Sequence, residues 1–276
     1  MWWKSTSNSS VIGLIAGQGD FPLLFAQAAS SLKKKIILIG FHGVTDKKTE
    51  AFVSESHYLE LGAIHDLFEL IKKLGIREIA LAGGIPKKEI YNPNFKMDSI
   101  AKDIMNTKAN KGDDHLLRAF QVFLKTKSGA SILDGRVFLK EAMAQKGVMT
   151  HRKPTNEEMR DLKFGWRIAK GIGRMDIGQT VVVKQGVVLA VEALEGTDVA
   201  IRRGGALCQS DAIVVKTAKP NQNLRFDLPC IGFETLESLK TAKCRVMGIE
   251  SGKTIMLFRE KLLEMANKEN ISLVGL

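Results

Sequence analysis

Several features that would mark particular protein classes are scarce or missing in this sequence. Its 276 residues include three cysteines and 7% aromatic residues. Cys208, Cys230 and Cys244 form no C-x-x-C pair, and an odd number is a poor disulfide framework, so we expect reduced thiols. The five histidines form no H-E-x-x-H motif, which argues against a zinc site of that kind. No apolar run reaches the ~18 residues that a membrane-spanning helix needs.

The composition indicates which classes of partner the protein could bind and where it is located. The opening MWWKSTSNSS has no apolar core of signal-peptide length, so we expect a cytoplasmic protein. With 45% hydrophobic and 26% charged residues, the chain is typical of globular proteins. The net charge of +11 favours anionic partners, which include nucleic acid, anionic lipid and phosphorylated metabolites. The low aromatic content and the lack of a binding motif argue against nucleic acid.

The first half of the chain alternates strand and helix patterns. The apolar runs VIGLIAG (11–17), KIILIGF (35–41) and EIALAGG (78–84) are typical of strands buried in a parallel sheet. Between them, residues 64–74 repeat apolar side chains at helical spacing. This alternation predicts a Rossmann-like N-terminal domain with a parallel sheet over residues 9–135.

The second half has a different pattern. Thr155 and Glu158 form a T-x-x-E capping box ahead of a helical repeat. The runs QTVVVKQ and GVVLAVEA then predict two strands joined by a tight turn that contains Gly186. Because further strands and helices follow, we expect a distinct mixed α/β C-terminal domain over residues 151–276. Residues 136–150 would be the linker.

Two segments of the first half could bind phosphate. Gly17-Gln18-Gly19-Asp20 follows the first strand and matches a dinucleotide fingerprint incompletely, so it is either a phosphate loop or a tight strand–helix turn. Further on, Lys111 and Arg118 flank Asp113 and Asp114. This segment is either a capped helix with a surface ion pair, or an anion site beside carboxylates that could hold a metal.

Three segments of the second half are rich in charge. Arg174 and Asp176 lie between a helix and a strand, and Glu192-Ala-Leu-Glu195-Gly-Thr-Asp198 follows a strand. Carboxylates crowded at a strand end suit Mg²⁺, although a solvated loop with no role is the alternative. The third segment, 216–229, combines lysines, an arginine and an aspartate before a buried strand. Phosphoryl transfer needs cations for the transferring oxygens and a carboxylate for metal or water.

These motifs together resemble one family. The motifs GLIAGQGDFP, KGDD-x-LLR, GRMDIGQ, VVV-x-x-GVVLAVEALEGTD and K-x-x-KP-x-Q-x-x-R-x-DLP-x-IG occur in order from Gly13 to Gly232. They look like those of the UDP-2,3-diacylglucosamine pyrophosphatases of the LpxI type, and the match runs over most of the chain.

The resemblance implies a specific activity. The family hydrolyses the pyrophosphate of UDP-2,3-diacylglucosamine to UMP and 2,3-diacylglucosamine 1-phosphate, a step of lipid A synthesis in Gram-negative bacteria. It implies Mg²⁺, or another divalent metal such as Mn²⁺, and a peripheral position on the inner face of the inner membrane. A homodimer is left open. The alternative is a Rossmann-type nucleotide-binding regulator without catalysis.

The resemblance and the charged segments together give a set of expected site residues. We expect Asp227 to organise metal or water, and cations to stabilise the transferring charge. The catalytic candidates are Asp227, Arg225, Lys219 and Arg174. The substrate-binding candidates are Gly17, Gly19, Lys111, Asp114, Gln179, Thr197, Lys216 and Gln222. The metal-binding candidates are Asp227, Asp198, Glu195, Glu192, Asp176 and Asp113.

Overall fold

The computed structural model describes residues 11–85, 95–106, 113–225 and 227–276. The chain divides into two compact units between Phe138 and Leu139. No helix within the described ranges has both the length and the apolar character to cross a membrane.

The first unit contains a five-stranded sheet with helices. Its strands are β1 (Val11–Ala16), β2 (Lys35–Phe41), β3 (Glu55–Leu59), β4 (Glu78–Ala82) and β5 (Ser131–Ile132). Its helices are α1 (Phe21–Ser31), α2 (Ile64–Lys73), α3 (Ser99–Asn106) and α4 (Asp113–Ser128), with 3₁₀ turns at Lys47–Phe52 and Gly135–Phe138.

The sheet of the first unit is parallel throughout. The strand order is β3-β2-β1-β4-β5, and every pairing is parallel. Its central strands are apolar because helices cover both faces of such a sheet; six of the seven residues of β2 are buried. In α2, Leu67, Phe68 and Ile71 form the buried face. The predicted Rossmann-like parallel sheet is confirmed.

The second unit contains two sheets. Its strands are β6 (Gly147–Val148), β7 (Thr180–Lys184), β8 (Val187–Val191), β9 (Ile213–Lys216), β10 (Cys230–Ile231), β11 (Val246–Ile249), β12 (Ile255–Met256) and β13 (Ser272–Gly275). Its helices are α5 (Asn156–Arg174), α6 (Thr197–Cys208), α7 (Phe233–Thr241) and α8 (Arg259–Lys268), with a 3₁₀ turn at Lys140–Ala142.

The larger sheet of the second unit is mixed, as expected for a mixed α/β domain. Its order is β6-β13-β11-β9-β7-β8. Strands β13, β11 and β9 run parallel, whereas β6, β7 and β8 each pair antiparallel with a neighbour. Strands β10 and β12 form a separate parallel pair.

Local signals explain several boundaries of the second unit. The capping box predicted at Thr155 and Glu158 is present, and α5 begins directly after Thr155. The two-residue turn between β7 and β8 has positive φ at Gln185 and Gly186, as a primed hairpin turn requires. The stretch 136–150, expected as a linker, contains β6, which pairs with β13 as an edge strand.

Candidate active site

The mixed sheet brings polar residues from separate strands to one edge. Strand β9 ends at Lys216, and the antiparallel β7 begins beside it, with Thr180 paired to Lys216. Strand β8 ends at Val191, so Glu192 follows at the same edge. The carboxyl ends of parallel strands are where α/β proteins bind ligands. This edge is therefore the candidate site.

A network of four side chains lies at this edge, which we call the threonine–lysine cluster: the buried Thr180, Glu192 and Lys216 and the partly buried Thr197. The Lys216 ammonium donates hydrogen bonds to Thr197 Oγ1 at 2.9 Å and to the carbonyl of Cys230 at 2.8 Å. Thr197 Oγ1 donates to Glu192 Oε1 at 3.0 Å and lies 3.3 Å from Thr180 Oγ1. The hydroxyl of Thr197 therefore connects a buried cation to a buried carboxylate.

The burial of this cluster fixes its geometry. Lys216 and Glu192 are only 6% and 7% exposed. The second oxygen of Glu192 accepts from the Gln179 amide at 3.2 Å, so both of its oxygens have partners within the protein. A buried charge needs such partners, and Glu192 therefore orders the start of β7 and of α6.

Helix α6 begins at this cluster. Its first residue is Thr197, and the preceding Gly196 turns the chain with φ of 86°. The first backbone N–H groups of a helix have no partner within it and attract anions. Together with the Lys216 ammonium, this helix end makes the edge suited to phosphate oxygens.

Three buried polar atoms near this edge have unused hydrogen-bonding capacity. In the part of the chain that the structure describes, Gln179 Oε1, Asp198 Oδ1 and Thr217 Oγ1 are buried without a partner. Buried polar atoms in native proteins are normally paired with protein, water or a ligand. Gln179 and Asp198 are both predicted site residues, and their unpaired acceptors suit a ligand that donates hydrogen bonds or a cation.

A second chain of hydrogen bonds forms the lysine–aspartate cluster: Asp176, Lys219, Gln222 and Asp227. The Lys219 ammonium, whose side chain is 9% exposed, pairs with Asp176 Oδ1. The Lys219 amide donates to Gln222 Oε1 at 2.9 Å, and Gln222 Nε2 donates to Asp227 Oδ2 at 2.5 Å. All four are predicted site residues, and the structure brings them together.

The end of α5 explains the position of Asp176. The Ile177 amide donates to the Ile172 carbonyl at 3.1 Å, and the Asp176 amide donates to the Gly173 carbonyl at 3.2 Å. This is a Schellman ending, in which the residue after the cap is left-handed and is most often glycine. Asp176 holds that conformation with φ of 55°. The ending of α5 therefore places the Asp176 carboxylate beside the Lys219 ammonium.

Cys230 lies within electrostatic reach of both clusters. Burial raises the pKa of its thiol to about 12, with the Lys216 charge opposing and the Asp227 charge adding to the shift. The thiol is therefore neutral near pH 7 and unsuited to be a nucleophile. All three cysteines carry free thiols, as expected.

The remaining predicted residues of the second unit lie outside the two clusters. Glu195 accepts from Arg203 at 2.7 Å and from the Ala193 amide at 3.1 Å. Burial opposes ionisation of Glu195, but the Arg203 and backbone hydrogen bonds outweigh it and lower the pKa. Arg174 and Arg225 are exposed, at the last residue of α5 and in the loop before Asp227.

The glycine loop of the first unit has a packing explanation. The Gly17 amide donates to the Ala82 carbonyl, and the Gln18 amide to the Gly84 carbonyl, each at 2.8 Å. A Cβ at Gly17 would lie 2.3 Å from the Gly84 oxygen, so only glycine fits there. Gly19 has φ of 87° and open space around it. Lys111 lies outside the described residues, as do the side chains of Asp113 and Asp114.

The predicted metal ligands whose side chains the structure describes do not form one cage. Within the described ranges, no group of three or more His, Cys, Asp or Glu side chains could hold a metal ion. Asp176 and Asp227 belong to one cluster and Glu192 to the other, whereas Glu195 pairs with Arg203. Mg²⁺ is commonly held by one or two carboxylates plus substrate phosphates. The edge fits that mode and not an all-protein cage.

Sequence reasoning missed three residues at this edge: Thr180, Lys170 and Glu250. Thr180 was the polar first residue of a strand whose next three residues are valines. Glu250 follows β11 directly, the same signal that drew attention to Glu192. Lys170 lies in the helical repeat and carried no signal of its own.

The fold and this edge define a two-unit α/β protein with a site suited to phosphate groups. A family model described as the LpxI N-terminal domain matches residues 11–142, and one described as the LpxI C-terminal domain matches residues 145–274. The chain therefore belongs to the LpxI family. It is 28% identical over 276 residues to the UDP-2,3-diacylglucosamine pyrophosphatase LpxI of Caulobacter vibrioides, with 96% of each chain covered.

Two solved structures share a distant similarity with this chain. The biotin carboxylase domain of 2-oxoglutarate carboxylase from Hydrogenobacter thermophilus is 12% identical, with 64% of this chain and 35% of that chain covered and a TM-score of 0.28. The biotin carboxylase subunit of a pyruvate carboxylase is 11% identical, with 67% and 38% covered and a TM-score of 0.23. This chain thus spans just over a third of the length of each structure. TM-scores of this size do not indicate a shared fold.

Proposed function

We propose that this protein hydrolyses the pyrophosphate bond of UDP-2,3-diacylglucosamine to UMP and 2,3-diacylglucosamine 1-phosphate in lipid A synthesis. Membership of the LpxI family supports the substrate, because the Caulobacter vibrioides relative carries that activity in its name. One observation of this chain supports the chemistry: Lys216 lies in the cluster where α6 begins, Lys219 and Asp227 belong to the second cluster, and the thiol of Cys230 lies within reach of the charges of both Lys216 and Asp227.

The proposed mechanism is attack of water on one phosphorus. A new P–O bond forms to the water oxygen, the bridging P–O bond breaks, and the leaving phosphate takes the electron pair. Asp227 orients the water and accepts its proton. Lys216, Lys219 and the amino terminus of α6 stabilise negative charge on the phosphate oxygens, and such preorganised donors are a large part of catalysis.

Exposed cations at the border of the site would bind the substrate. Arg174 ends α5, and Arg225 lies two residues before Asp227. Arginine forms paired hydrogen bonds to phosphate oxygens. We therefore assign both to the pyrophosphate, and Gln179, Thr197 and Gln222 to positioning it.

Mg²⁺ or Mn²⁺ is part of this proposal. Asp227 and Asp176 are the carboxylates that would hold the ion, together with phosphate oxygens of the substrate. When bound, the ion would offset charge on the phosphate oxygens.

The test is direct. Purified protein with Mg²⁺ should release UMP from UDP-2,3-diacylglucosamine, and EDTA should abolish the release. Hydrolysis in heavy-oxygen water should label the sugar phosphate if the β-phosphorus is attacked, as we expect, and UMP if the α-phosphorus is attacked. Nucleotide binding without UMP release under any divalent metal would instead support a non-catalytic regulator.

The acyl chains should matter to the reaction. Binding energy from remote parts of a substrate can be used to position the reacting group. UDP-glucosamine without acyl chains should therefore have a much lower kcat/KM, and equal values for both compounds would contradict lipid recognition. Because the proposed substrate is a lipid, we also propose that the protein works from the cytoplasm on the inner face of the inner membrane. Flotation with vesicles containing the substrate would test this.

A further inference from the structure

The ion pair of Lys170 and Glu250 lies outside the two clusters and is hydrogen-bonded to the loop that connects them. Glu250 Oε2 accepts a hydrogen bond from the Lys170 ammonium at 2.5 Å and another from the Ala218 amide at 2.8 Å. The same ammonium donates to the Ala218 carbonyl at 2.9 Å. Both backbone polar groups of Ala218 are therefore held by one pair of side chains.

Ala218 lies between the two buried lysines of the site. Lys216 precedes it by two residues in the threonine–lysine cluster, and Lys219 follows it in the lysine–aspartate cluster. The pair reaches this point from far along the chain, since Lys170 lies in α5 and Glu250 directly follows β11. Three elements are thus joined at Ala218.

Glu250 is buried and Lys170 is partly buried. The Glu250 side chain is 8% exposed and that of Lys170 is 17% exposed. The Lys170 ammonium also lies 5.0 Å from the centroid of the Trp166 ring. Burial opposes ionisation of Glu250, but hydrogen bonds from Lys170, Lys253 and the Ala218 amide outweigh it and lower the pKa.

We infer that Lys170 and Glu250 are positioning residues that set the placement of Lys216 and Lys219 for pyrophosphate hydrolysis. The inference rests on the proposed function for its catalytic consequence. A buried ion pair adds little net stability over an apolar pair of similar size. It does fix the orientation of the groups that it holds, because each hydrogen bond has a preferred geometry. A displacement of about 1 Å at a reacting centre can lower a rate by roughly 100-fold.

The test compares three variants with the wild type. Glu250→Gln and Lys170→Met each break the pair and should lower kcat by roughly 10- to 100-fold with KM within about threefold. The double variant Lys170→Met/Glu250→Gln removes both charges. If the pair only stabilised the fold, the double variant would recover kcat along with its melting temperature. A positioning role predicts recovery of the melting temperature without recovery of kcat.

Hydrogen exchange of the loop gives a readout that does not depend on activity. The Ala218 amide should exchange at least about tenfold faster in Glu250→Gln than in the wild type, because its acceptor has lost its charge. Lys240→Ala, which breaks the exposed Lys240–Glu269 pair, is the control and should leave both kcat and loop exchange unchanged.

The outcomes separate this inference from the proposed function. Wild-type protein that releases no UMP would overturn the proposed function and with it the catalytic role of the pair. Loop exchange would still show whether the pair holds Ala218. An active wild type together with a Glu250→Gln variant of unchanged kcat and unchanged exchange would overturn the inference alone.

Discussion

Replacing Asp227 with asparagine should separate a catalytic role from a structural one. The asparagine side chain has nearly the same size, and its oxygen can still accept the 2.5 Å hydrogen bond that Gln222 Nε2 donates to Asp227. Asp227→Asn should therefore leave the lysine–aspartate cluster folded while removing the negative charge.

The expected effect on rate follows from the role of a positioned base. Losing one such group lowers a rate by about 100-fold or more, which corresponds to about 2.7 kcal/mol of transition-state stabilisation. Because the interaction is needed mainly in the transition state, kcat should fall much more than KM rises. Single-turnover UMP release and thermal unfolding on the same preparation measure both properties.

Alanine at the same position should add a stability defect. Gln222 is only 9% exposed, and Asp227→Ala leaves its amide donor without this acceptor. An unsatisfied buried donor costs about 1–3 kcal/mol, which corresponds to a fall of roughly 3–12 °C in melting temperature for a unit of this size.

A matched aspartate serves as the control. Asp161 accepts from the amides of Gln185 and Gly186 at 2.6 and 2.9 Å. These residues form the turn at the other end of β7 from Thr180. Asp161→Asn should leave kcat unchanged. If Asp227→Asn retained kcat within a few-fold of the wild type, the proposed role of Asp227 in hydrolysis would be wrong.

Two substitutions at the edge, a control in α5 and the pH dependence of Glu250→Gln test the packing of this region. Gly178→Ala places a Cβ 2.0 Å from the Glu192 carbonyl oxygen and should cost about 2 kcal/mol or more in urea unfolding, whereas Gly171→Ala, with open space around it in α5, should stabilise by about 0.5–1 kcal/mol. Lys216→Met removes the buried donor to Thr197 and should destabilise by about 3 kcal/mol by the same assay, because Glu192 then lacks its nearby cation. The pKa of Glu250 lies below its ordinary value of 4.5 in the folded protein. The ionised carboxylate therefore stabilises the folded state at pH values above 4.5. The difference in unfolding free energy between the wild type and Glu250→Gln should therefore be larger at pH 7 than at about pH 4. A difference that does not change with pH would contradict the assigned pairing.

The sequence was sufficient to predict the parallel sheet but not all of its strands. Strands β1, β2 and β4 are apolar runs, and buried strands of that kind are visible in a sequence. Strand β3 was missed because it is the outermost strand of its sheet. It carries Glu55, Ser56 and His57 and therefore lacks an apolar run. The buried strand predicted to follow the charged segment 216–229 is only the two-residue β10, because α7 begins at Phe233, directly after Gly232.

The site could be predicted only where its residues are close in the chain. Lys219, Gln222 and Asp227 lie in one loop and were found together. The partner of Lys219 is Asp176, 43 residues earlier, and that pairing depends on where α5 ends. The carboxylates of residues 192–198 were predicted to lie together in one metal-binding loop. In the structure Glu192 accepts from Thr197 and Glu195 accepts from Arg203, whereas Asp198 lies in the first turn of α6, after the chain turns at Gly196.

Helix α5 sets the geometry of the edge more than any single loop does. At Gly165, a Cβ would lie 2.8 Å from a methyl carbon of Val215, so the helix packs directly on β9. Five residues later Lys170 holds Ala218, and beyond the helix end Asp176 holds the Lys219 ammonium. The helix is therefore fixed to the strand near its middle and to the loop after that strand towards its carboxyl end. Sites supported by rigid elements hold their side chains more closely than sites on loops alone. This explains how a loop that carries charged residues can keep two lysines in place at the sheet edge.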